Sequence, residues 1–316
     1  MTILITGVAG FVGSTLARRL LDMGESVVGI DAITDYYDVS LKRRNLESLQ
    51  NDRFEFLEGD INTLNLDAIQ PNVEYVFHQA GQPGVRASWG ADFETYTASN
   101  VNATQKLLEA FKDSKSLKRF VYASSSSVYG NAETYPTNEL VRPQPRSPYG
   151  VTKLAAEHLC SLYAANFGMP TVSLRYFTVY GPKQRPDMAF TRFLTCAISG
   201  RPISLFGTGN QIRDFTYIDD VIEANIAAAQ SELPPGQVLN VSGGSSISMN
   251  SAIDIISSLT GVELDIRRTP VVDGDVERTG GDSKLARELL AWRPKTEISH
   301  GLAKQLEWVR SSSNEQ

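Results

Sequence analysis

Two residues of the stretch SPYGVTK, Tyr149 and Lys153, could together move a proton. They are four residues apart and the following LAAEHLCSLYAANFG has the pattern of a long helix, so the phenol and the ammonium would share one helical face. A nearby cation favours the phenolate and lowers the pKa of a tyrosine. A tyrosine tuned in this way acts as a general base near neutral pH. Taken alone, the same spacing also arises by chance on many helices.

The stretch GVAGFVG near the start of the chain offers a second chemistry, the binding of phosphate. Gly7, Gly10 and Gly13 follow the strand pattern TILIT and open the helix pattern FVGSTLARRLLDMG. A second strand pattern ends at Asp31, so the glycines lie within a βαβ unit. Glycines at that point let the backbone approach a pyrophosphate, whose charge the N–H groups at the helix N-terminus stabilise. By itself, such a triplet is equally well a structural turn.

Asp31 predicts which dinucleotide this loop binds. An acid at the end of the second strand accepts hydrogen bonds from the adenosine ribose hydroxyls, and its charge repels a 2′-phosphate. The sequence therefore predicts NAD rather than NADP as the cofactor. We expect Phe11 and Val12, which stand between the second and third glycines, to contact it as well.

The elements that must position these residues alternate along the chain. Short β-branched or aromatic runs such as TILIT, SVVGID and KRFVYASS are separated by amphipathic stretches such as ATQKLLEAFKDS. This alternation predicts a parallel sheet with helical crossovers, because parallel strands need long connections. The predicted fold class is α/β, with a doubly wound parallel sheet.

Composition favours small-molecule partners. The 316 residues carry a formal net charge of -6 with acids and bases interspersed, so no basic stripe is offered to nucleic acid or to an anionic membrane. Cys160 and Cys196 lie in helical patterns without metal-ligand spacing, which predicts two buried thiols, no metal site and a reducing compartment. We find no leader and no window with the roughly 18 apolar residues of a membrane span, and expect a cytoplasmic protein.

The glycine spacing, taken with the tyrosine and lysine, resembles the extended short-chain dehydrogenase/reductase superfamily over nearly the whole chain. The resemblance implies that LEGDI brackets the adenine through Asp60 and Ile61, and that HQAG places Ala80 and Gly81 beside the cofactor. The further cofactor contacts that it implies are Asn100, Tyr149, Lys153 and Tyr176. The chain departs from the superfamily pattern at Ala32, Gln79 and Gln82.

A change in the sequence pattern divides the chain. From about Tyr176 the regular alternation gives way to Pro- and Gly-rich loops such as RPISLFGTGNQIRDF. We predict a Rossmann-type NAD-binding domain over residues 1–175. Residues 176–316 are predicted to form mainly a smaller α/β nucleotide-sugar-binding lobe, with some segments returning to the Rossmann sheet.

The serine stretch YASSSSVYG indicates the class of reaction. In the superfamily, the hydroxyl that polarises the C4–O bond of the substrate lies three residues before the Val of VYG, which implies Ser125. Taken alone, these serines are also explained by a strand-to-loop turn. Members that dehydrate nucleotide sugars have an Asp-Glu pair at the next two positions, and UDP-glucuronate decarboxylases have a Glu at the second. This chain has Ser126 and Ser127 there, predicted to contact the substrate, so epimerisation remains.

The predicted sugar is an acidic one. The stretch LRYFTVYGPKQRPDMAF resembles UDP-glucuronate 4-epimerases, in which the residues corresponding to Thr178 and Arg185 meet the sugar carboxylate. GVRAS, with Val85 and Arg86, resembles the loop beside the sugar in uronate-type members. Oxidation at C4 of UDP-glucuronate creates a β-keto acid, and holding its carboxylate would prevent loss of carbon dioxide. Alternatively, Arg185 anchors a loop between two helices.

Two further arginines are predicted to bind the diphosphate. QIRDFTYIDDV and GDVERTGGD resemble the segments that deliver arginines to a nucleotide-sugar diphosphate, which implies Arg213 and Arg278. Forked guanidiniums fit paired phosphate oxygens. A surface ion pair is the alternative for either arginine.

Together these patterns predict C4 epimerisation of UDP-glucuronate to UDP-galacturonate through a transient 4-keto intermediate, with Tyr149, Lys153 and Ser125 as the catalytic residues. The alternatives are a UDP-glucose or UDP-N-acetylglucosamine 4-epimerase, a UDP-glucuronate decarboxylase, and a non-catalytic NAD-binding sensor. Two helical stretches, ASNVNATQKLLEAFKDS and YGVTKLAAEHLCSLYAANF, resemble the pair through which superfamily members dimerise, which implies a homodimer. We interpret His78 as structural.

Overall fold

The structure is a computed structural model that describes residues 1–270 and 274–314. Its strands, numbered along the chain, are β1 (Thr2–Thr6), β2 (Ser26–Asp31), β3 (Phe54–Glu58), β4 (Tyr75–His78), β5 (Arg119–Ser125), β6 (Thr171–Tyr176), β7 (Thr178–Tyr180), β8 (Ile203–Phe206), β9 (Ile212–Tyr217), β10 (Gln237–Val241), β11 (Ser245–Ser248) and β12 (Ile266–Thr269). Its α-helices are α1 (Phe11–Asp22), α2 (Val39–Glu47), α3 (Phe93–Tyr96), α4 (Ala103–Phe111), α5 (Pro148–Phe167), α6 (Ala189–Ser199), α7 (Ile218–Gln230), α8 (Met249–Thr260), α9 (Lys284–Leu290) and α10 (Ile298–Asn314).

Seven of the strands form one parallel sheet in the order β10-β6-β5-β4-β1-β2-β3. The chain builds the sheet outward from β1 to β3, and then continues on the other side of β1 with β4. Connections on the two sides of this switch point diverge and leave a crevice at the carboxyl ends of the strands. The predicted α/β fold with a doubly wound parallel sheet is confirmed.

Helices cover both faces of the sheet, because alternate side chains of a strand point to opposite sides. Ile3 and Ile5 of β1 belong to a core cluster with residues of α1 and α7. Leu4, between them, belongs to a second cluster with residues of α4 and α5. Apolar burial on both faces explains why the central strand β1, TILIT, contains a continuous apolar run rather than alternating residues.

The later part of the chain forms two small sheets. β9 pairs with β11 in the antiparallel and with β7 in the parallel sense, and β8 pairs with β12. β10 lies beside β6 in the large sheet, so a late segment joins the strands formed by the first 176 residues. The division into domains at residues 175 and 176 stays a prediction.

The thiols differ from each other in exposure. Cys160 is buried, as predicted, but the prediction of a buried Cys196 is wrong because this residue is half-buried. It lies on α6 outside the buried face, which is formed by residues such as Phe193, Leu194 and Ala197.

Within the described ranges, the helices lack the length and apolar character that would be needed to cross a bilayer.

Candidate active site

A cavity of about 740 Å³ lies at the carboxyl ends of the central strands. It is lined by the loops that follow β1, β2, β3 and β4 and by residues of α6, β8 and β9. All the predicted site residues line this cavity except Asn100 and Arg278. Segments that are far apart in the sequence therefore meet in one place, as the parallel topology requires.

The glycine loop has no room for side chains. Gly7 has a φ of +70°, and a Cβ atom there would lie 2.7 Å from the backbone nitrogen of Ala80. A Cβ atom on Gly13 would lie only 2.1 Å from the carbonyl oxygen of Gly7. No side chain caps the N-terminus of α1 at Gly10, and its first residues line the cavity. An uncapped helix N-terminus behind a close-packed glycine loop fits a pyrophosphate.

Asp31 fastens this loop to the end of β2. Its carboxylate accepts the backbone N–H of Ala9 at 3.0 Å and that of Ile33 at 2.8 Å. A carboxylate has about four lone-pair positions, so acceptor capacity remains for ribose hydroxyls. The predicted contact is compatible with this arrangement, and Asp60 and Ile61 lie along the same wall.

Asn100 lies behind the wall of the cavity rather than in it. It belongs to a π-helical turn, Thr97–Asn102, that leads into α4. Its Oδ1 accepts the backbone N–H of Gln82 at 2.7 Å, and its Nδ2 donates to the hydroxyl of Thr152 at 3.0 Å. The side chain therefore holds the loop after β4 against α5. Its direct contact with the cofactor stays a prediction.

Tyr149 and Lys153 both face the cavity from the first turns of α5. The helix begins at this point because Ser147 caps it, accepting the N–H of Gly150 at 3.1 Å. Lys153 Nζ donates to the carbonyl oxygen of Ala123 at 2.8 Å. Burial lowers the pKa of Lys153 to about 8. The lysine thus ties α5 to β5, the strand that ends in Ser125.

The pKa of the Tyr149 phenol differs from the one that the sequence predicts. The spacing from Lys153 predicts a lowered pKa, but burial raises the pKa of Tyr149 above its ordinary value. The hydrogen bond with Ser125 and the positive charge of Arg185 act in the opposite direction. The cation that opposes burial is therefore Arg185 of the sugar-side loop. A second positive charge beside the phenol would lower the pKa further.

The serine turn after β5 is closed by its own hydroxyls. Ser125 Oγ accepts the backbone N–H of Ser127 at 3.1 Å, which starts a short 3₁₀ turn. Ser126 and Ser127 are half-buried and line the cavity next to Ser125. No carboxylate stands at these two positions.

Arg185 carries a partner that the sequence did not reveal. Its Nε and Nη2 each donate to the carboxylate of Asp187 at 2.9 Å, and the arginine side chain is largely buried. Both residues line the cavity, as does Thr178 at the start of β7. Arg185 is thus held within its loop and also faces the cavity. This position is compatible both with a contact to the sugar carboxylate and with a role in anchoring the loop.

Arg86 and Arg213 both line the cavity and lie close enough for their charges to interact. Arg86 pairs with Asp275 at 2.9 Å, and its guanidinium lies 4.0 Å from the ring centre of Phe206. Burial lowers the pKa of Arg213, and the charge of Arg86 lowers it further. Two arginines that face the same space are suited to a diphosphate.

Arg278 is not brought into the cavity. It is exposed, and its guanidinium lies 4.8 Å from the ring centre of Tyr135. Two residues that line the cavity, Phe206 and Arg192, were not predicted from the sequence; the Arg192 guanidinium lies 5.9 Å from the ring centre of Phe206. An arginine within the mainly apolar start of α6, AFTRFL, was the available signal.

Comparison with known proteins agrees with this geometry. A profile of the NAD dependent epimerase/dehydratase family matches residues 3–242. The crystal structure of UDP-glucuronic acid 4-epimerase from Bacillus cereus in complex with UDP-glucuronic acid and NAD has a TM-score of 0.96 and 42% identity, covering 99% of this chain and 100% of that chain.

Two curated proteins are similar over the whole length. The UDP-glucuronate 4-epimerase of Thermodesulfobacterium geofontis (strain OPF15) is 38% identical over 317 residues, which are 98% of this chain and 96% of that protein. A Bacillus subtilis (strain 168) protein named Uncharacterized UDP-glucose epimerase YtcB is 40% identical over 313 residues, 98% of each chain. On the evidence of its sequence and of the site that its fold assembles, the chain belongs to the NAD dependent epimerase/dehydratase family.

Proposed function

We propose that this protein is an NAD-dependent nucleotide-sugar epimerase that inverts C4 of UDP-glucuronate and forms UDP-galacturonate through a transient 4-keto intermediate. The observation that carries the proposal is that Tyr149 and Arg185 face the same cavity closely enough for the arginine's charge to act on the phenol. A general base and a cation for an acidic sugar thus share one site. Similarity to the Bacillus cereus enzyme, whose structure contains UDP-glucuronic acid and NAD, supports the same substrate.

The cofactor would be held by the wall beside the glycine loop. Gly7, Gly10 and Gly13, with the N–H groups of Phe11 and Val12, would bind its pyrophosphate. The remaining proposed contacts are Asp31, Asp60, Ile61, Ala80, Gly81, Asn100, Tyr149, Lys153 and Tyr176. When bound, NAD supplies the acceptor and the donor for the hydride of C4.

Proton transfer would be carried out by Tyr149. The phenolate removes the proton of the C4 hydroxyl and returns it after the 4-keto sugar has turned in the site. Ser125, which is hydrogen-bonded to the phenol, would hold the same substrate oxygen. Lys153 fixes the relative position of α5 and β5 through Ala123, so the phenol and the serine keep their distance.

The remaining proposed contacts bind the rest of the substrate. Thr178 and Arg185 would hold the carboxylate, with Val85, Ser126 and Ser127 along the sugar. Arg86, Arg213 and Arg278 are proposed for the diphosphate, although Arg278 would have to leave Tyr135 to reach it. Holding the carboxylate out of line with the carbonyl would prevent decarboxylation of the β-keto acid.

Incubation of the purified protein with UDP-glucuronate, without added cofactor and followed by proton NMR, tests the proposal. Appearance of UDP-galacturonate supports the reaction and the retention of NAD through purification. UDP-xylose or a 4-keto pentose as the main product would contradict the proposed restraint of the carboxylate. Turnover of UDP-glucose but not of UDP-glucuronate, even after NAD is added, would contradict the substrate.

One observation favours a second candidate, a 4-epimerase of a neutral sugar such as UDP-glucose or UDP-N-acetylglucosamine. Asp187 already neutralises Arg185, so this arginine does not require a sugar carboxylate to balance its charge. The Bacillus subtilis relative carries the name of a UDP-glucose epimerase. Parallel assays with the three nucleotide sugars separate the two candidates.

We also propose that the protein is a cytoplasmic homodimer. Val151, Leu162 and Phe167 of α5 are exposed apolar side chains, which a partner helix would cover. Both cysteines are free, which fits a reducing compartment. Light scattering after gel filtration should give about twice the chain mass of 34.7 kDa. A monomer mass would contradict the homodimer. Recovery of the native protein in an extracytoplasmic fraction would contradict the cytoplasmic location.

A further inference from the structure

Three polar side chains from distant parts of the sequence form a hydrogen-bonded group beside the cavity. Gln79 follows β4, Tyr176 ends β6 and Asn225 lies on α7; we call them the amide triad. Asn225 Oδ1 accepts from Gln79 Nε2 at 3.0 Å and from the Tyr176 hydroxyl at 2.8 Å. The Tyr176 hydroxyl is also 3.2 Å from Gln79 Oε1. Gln79 and Tyr176 both line the cavity.

The surroundings of the amide triad are apolar, so apolar side chains would also pack at these positions. Asn225 is 0% exposed, and its neighbours on α7, Val221 and Ala224, belong to the apolar core. A buried amide costs free energy unless its hydrogen-bonding groups are satisfied. Asn225 Oδ1 meets this condition through Gln79 and Tyr176, and one N–H of its Nδ2 does so by donating to the carbonyl oxygen of Val221 at 2.8 Å.

Two hydrogen-bonding groups of the Gln79 amide, one donor and one acceptor, remain without a partner in the described part of the chain. Tyr176 has one hydroxyl proton, and Asn225 Oδ1 is its nearer acceptor. Gln79 Oε1 is then free to accept. Gln79 Nε2 also has a second N–H for which the described residues provide no partner. One donor and one acceptor are thus available on a side chain of the cavity wall.

The position of Gln79 connects these unused atoms with the glycine loop. A Cβ atom on Gly7 would lie 2.9 Å from the carbonyl carbon of Gln79, so the two backbones are in contact. The end of β6, with Tyr176, pairs in register with Ser125 of β5. The amide triad therefore spans the wall between the proposed pyrophosphate loop and the proposed catalytic serine.

We propose that the amide triad belongs to the dinucleotide site: Gln79 hydrogen-bonds the bound dinucleotide, and Asn225 and Tyr176 are positioning residues that fix the orientation of its amide. This inference rests on the proposed function, because it requires NAD in the cavity. A free donor and acceptor on one amide match a group that offers both, and the dinucleotide has such groups in its ribose hydroxyls and its carboxamide. The amide triad would then contribute to retention of NAD between turnovers.

The test separates binding from packing by substituting side chains of similar shape. Gln79→Met and Asn225→Leu each leave buried polar partners unsatisfied, whereas the triple variant Gln79→Met/Asn225→Leu/Tyr176→Phe removes all three polar groups. We expect both single variants to melt at lower temperature and, after extended dialysis, to retain about tenfold less NAD per chain than the wild type. The triple variant should recover its melting temperature but not its NAD, measured as nucleotide released on denaturation.

Gln305→Leu is the matched control. Gln305 is also a buried glutamine in a polar network, with Nε2 2.8 Å from Gln184 Oε1 and 3.0 Å from Thr191 Oγ1, but none of these residues lines the cavity. This variant should lower the melting temperature and leave the NAD content unchanged. Wild-type NAD content in the triple variant would overturn this inference but not the proposed function. A loss of NAD in Gln305→Leu equal to that in the Gln79→Met and Asn225→Leu variants would do the same. A wild-type protein that neither contains nor binds NAD would overturn the proposed function and this inference together.

Discussion

Asp187 binds Arg185 side-on, so that Nε and Nη2 of the guanidinium each donate to the carboxylate at 2.9 Å while both residues face the cavity. The pair fixes the plane of the guanidinium and directs Nη1 away from Asp187. In the proposed reaction, this remaining end of the fork receives the sugar carboxylate. The ion pair therefore fixes the orientation of the arginine, and the negative charge of Asp187 offsets part of its positive charge.

Arg185→Ala should accordingly distinguish acidic from neutral sugars. A hydrogen bond between charged groups contributes about 1.5–3 kcal/mol, so kcat/KM for UDP-glucuronate should fall by about 10- to 100-fold. Any turnover of UDP-glucose should change far less, because its C6 hydroxyl carries no charge. Product analysis by NMR should also show a larger share of decarboxylated sugar.

Arg267→Ala is the control for Arg185→Ala. Arg267 pairs with Asp265 at 3.5 Å, and its side chain is 68% exposed. This substitution should leave the kinetics with both sugars unchanged. Equal losses with UDP-glucuronate and UDP-glucose in Arg185→Ala would contradict a contact with the carboxylate.

Tyr149→Phe should lower turnover of the nucleotide sugar by about 10²-fold or more, the usual size of a lost general base. The substitution keeps the ring, which lies edge-on to Tyr96 with ring centres 6.3 Å apart, so the fold and NAD content should remain. Tyr163→Phe, on the same helix but outside the cavity, should retain full activity. Turnover of Tyr149→Phe near that of the wild type would contradict the assignment.

The parts of the site that could be predicted from the sequence are those fixed by local patterns. Gly7 is required by its positive φ and Gly13 by a close approach to the backbone of Gly7, both within one βαβ unit, and Tyr149 and Lys153 share a face because of helical spacing. Alternating strand and helix patterns determine the sheet, so its carboxyl edge and the cavity follow. No long-range information is needed for these features.

The parts that could not be predicted depend on contacts between distant segments. Phe206 and Arg192 become neighbours only when β8 and α6 pack together, and Asn225 meets Gln79 across 146 positions of sequence. The raised pKa of Tyr149 depends on how deeply α5 is covered, which periodicity does not report. Arg278 matched a motif, but its loop directs it toward Tyr135.

Gly13→Ala should impair folding and cofactor binding together. The new methyl group would lie 2.1 Å from the carbonyl oxygen of Gly7, and backbone atoms cannot rotate away. Overpacking of this kind costs typically 1–3 kcal/mol, and it displaces α1 from the phosphate loop. Both the melting temperature and the NAD content of the purified protein should fall.

Gly280→Ala is the control for Gly13→Ala. The nearest atom to its new methyl group is the Ser246 hydroxyl at 3.3 Å, which can rotate. The melting temperature of this variant should therefore change much less, with NAD retained. Normal NAD content in Gly13→Ala would show that the close contact with Gly7 is not required for the cofactor.

His78 should make the stability of the protein sensitive to acid. Its ring is buried between the hydroxyls of Thr6, 2.7 Å from Nδ1, and Thr104, 2.9 Å from Nε2. Burial lowers its pKa from 6.5 to about 3, and the charge of Lys153 acts in the same direction. Between these values the unfolded chain binds a proton that the folded chain does not, so acid favours unfolding.

The contribution of His78 is therefore present above pH 6.5 and is lost as the pH falls toward 3. For this group alone, the free energy of unfolding should decrease by about 1.4 kcal/mol per pH unit in that window. Urea denaturation of the wild type and of His78→Asn at several pH values from about 7 to about 5 measures the slope, which should be smaller in the variant by about half that amount at pH 6.5 and by nearly all of it at about pH 5. Equal slopes for the wild type and His78→Asn would mean that His78 is protonated in the folded protein, and that its hydrogen bonds to the two threonines rearrange in acid.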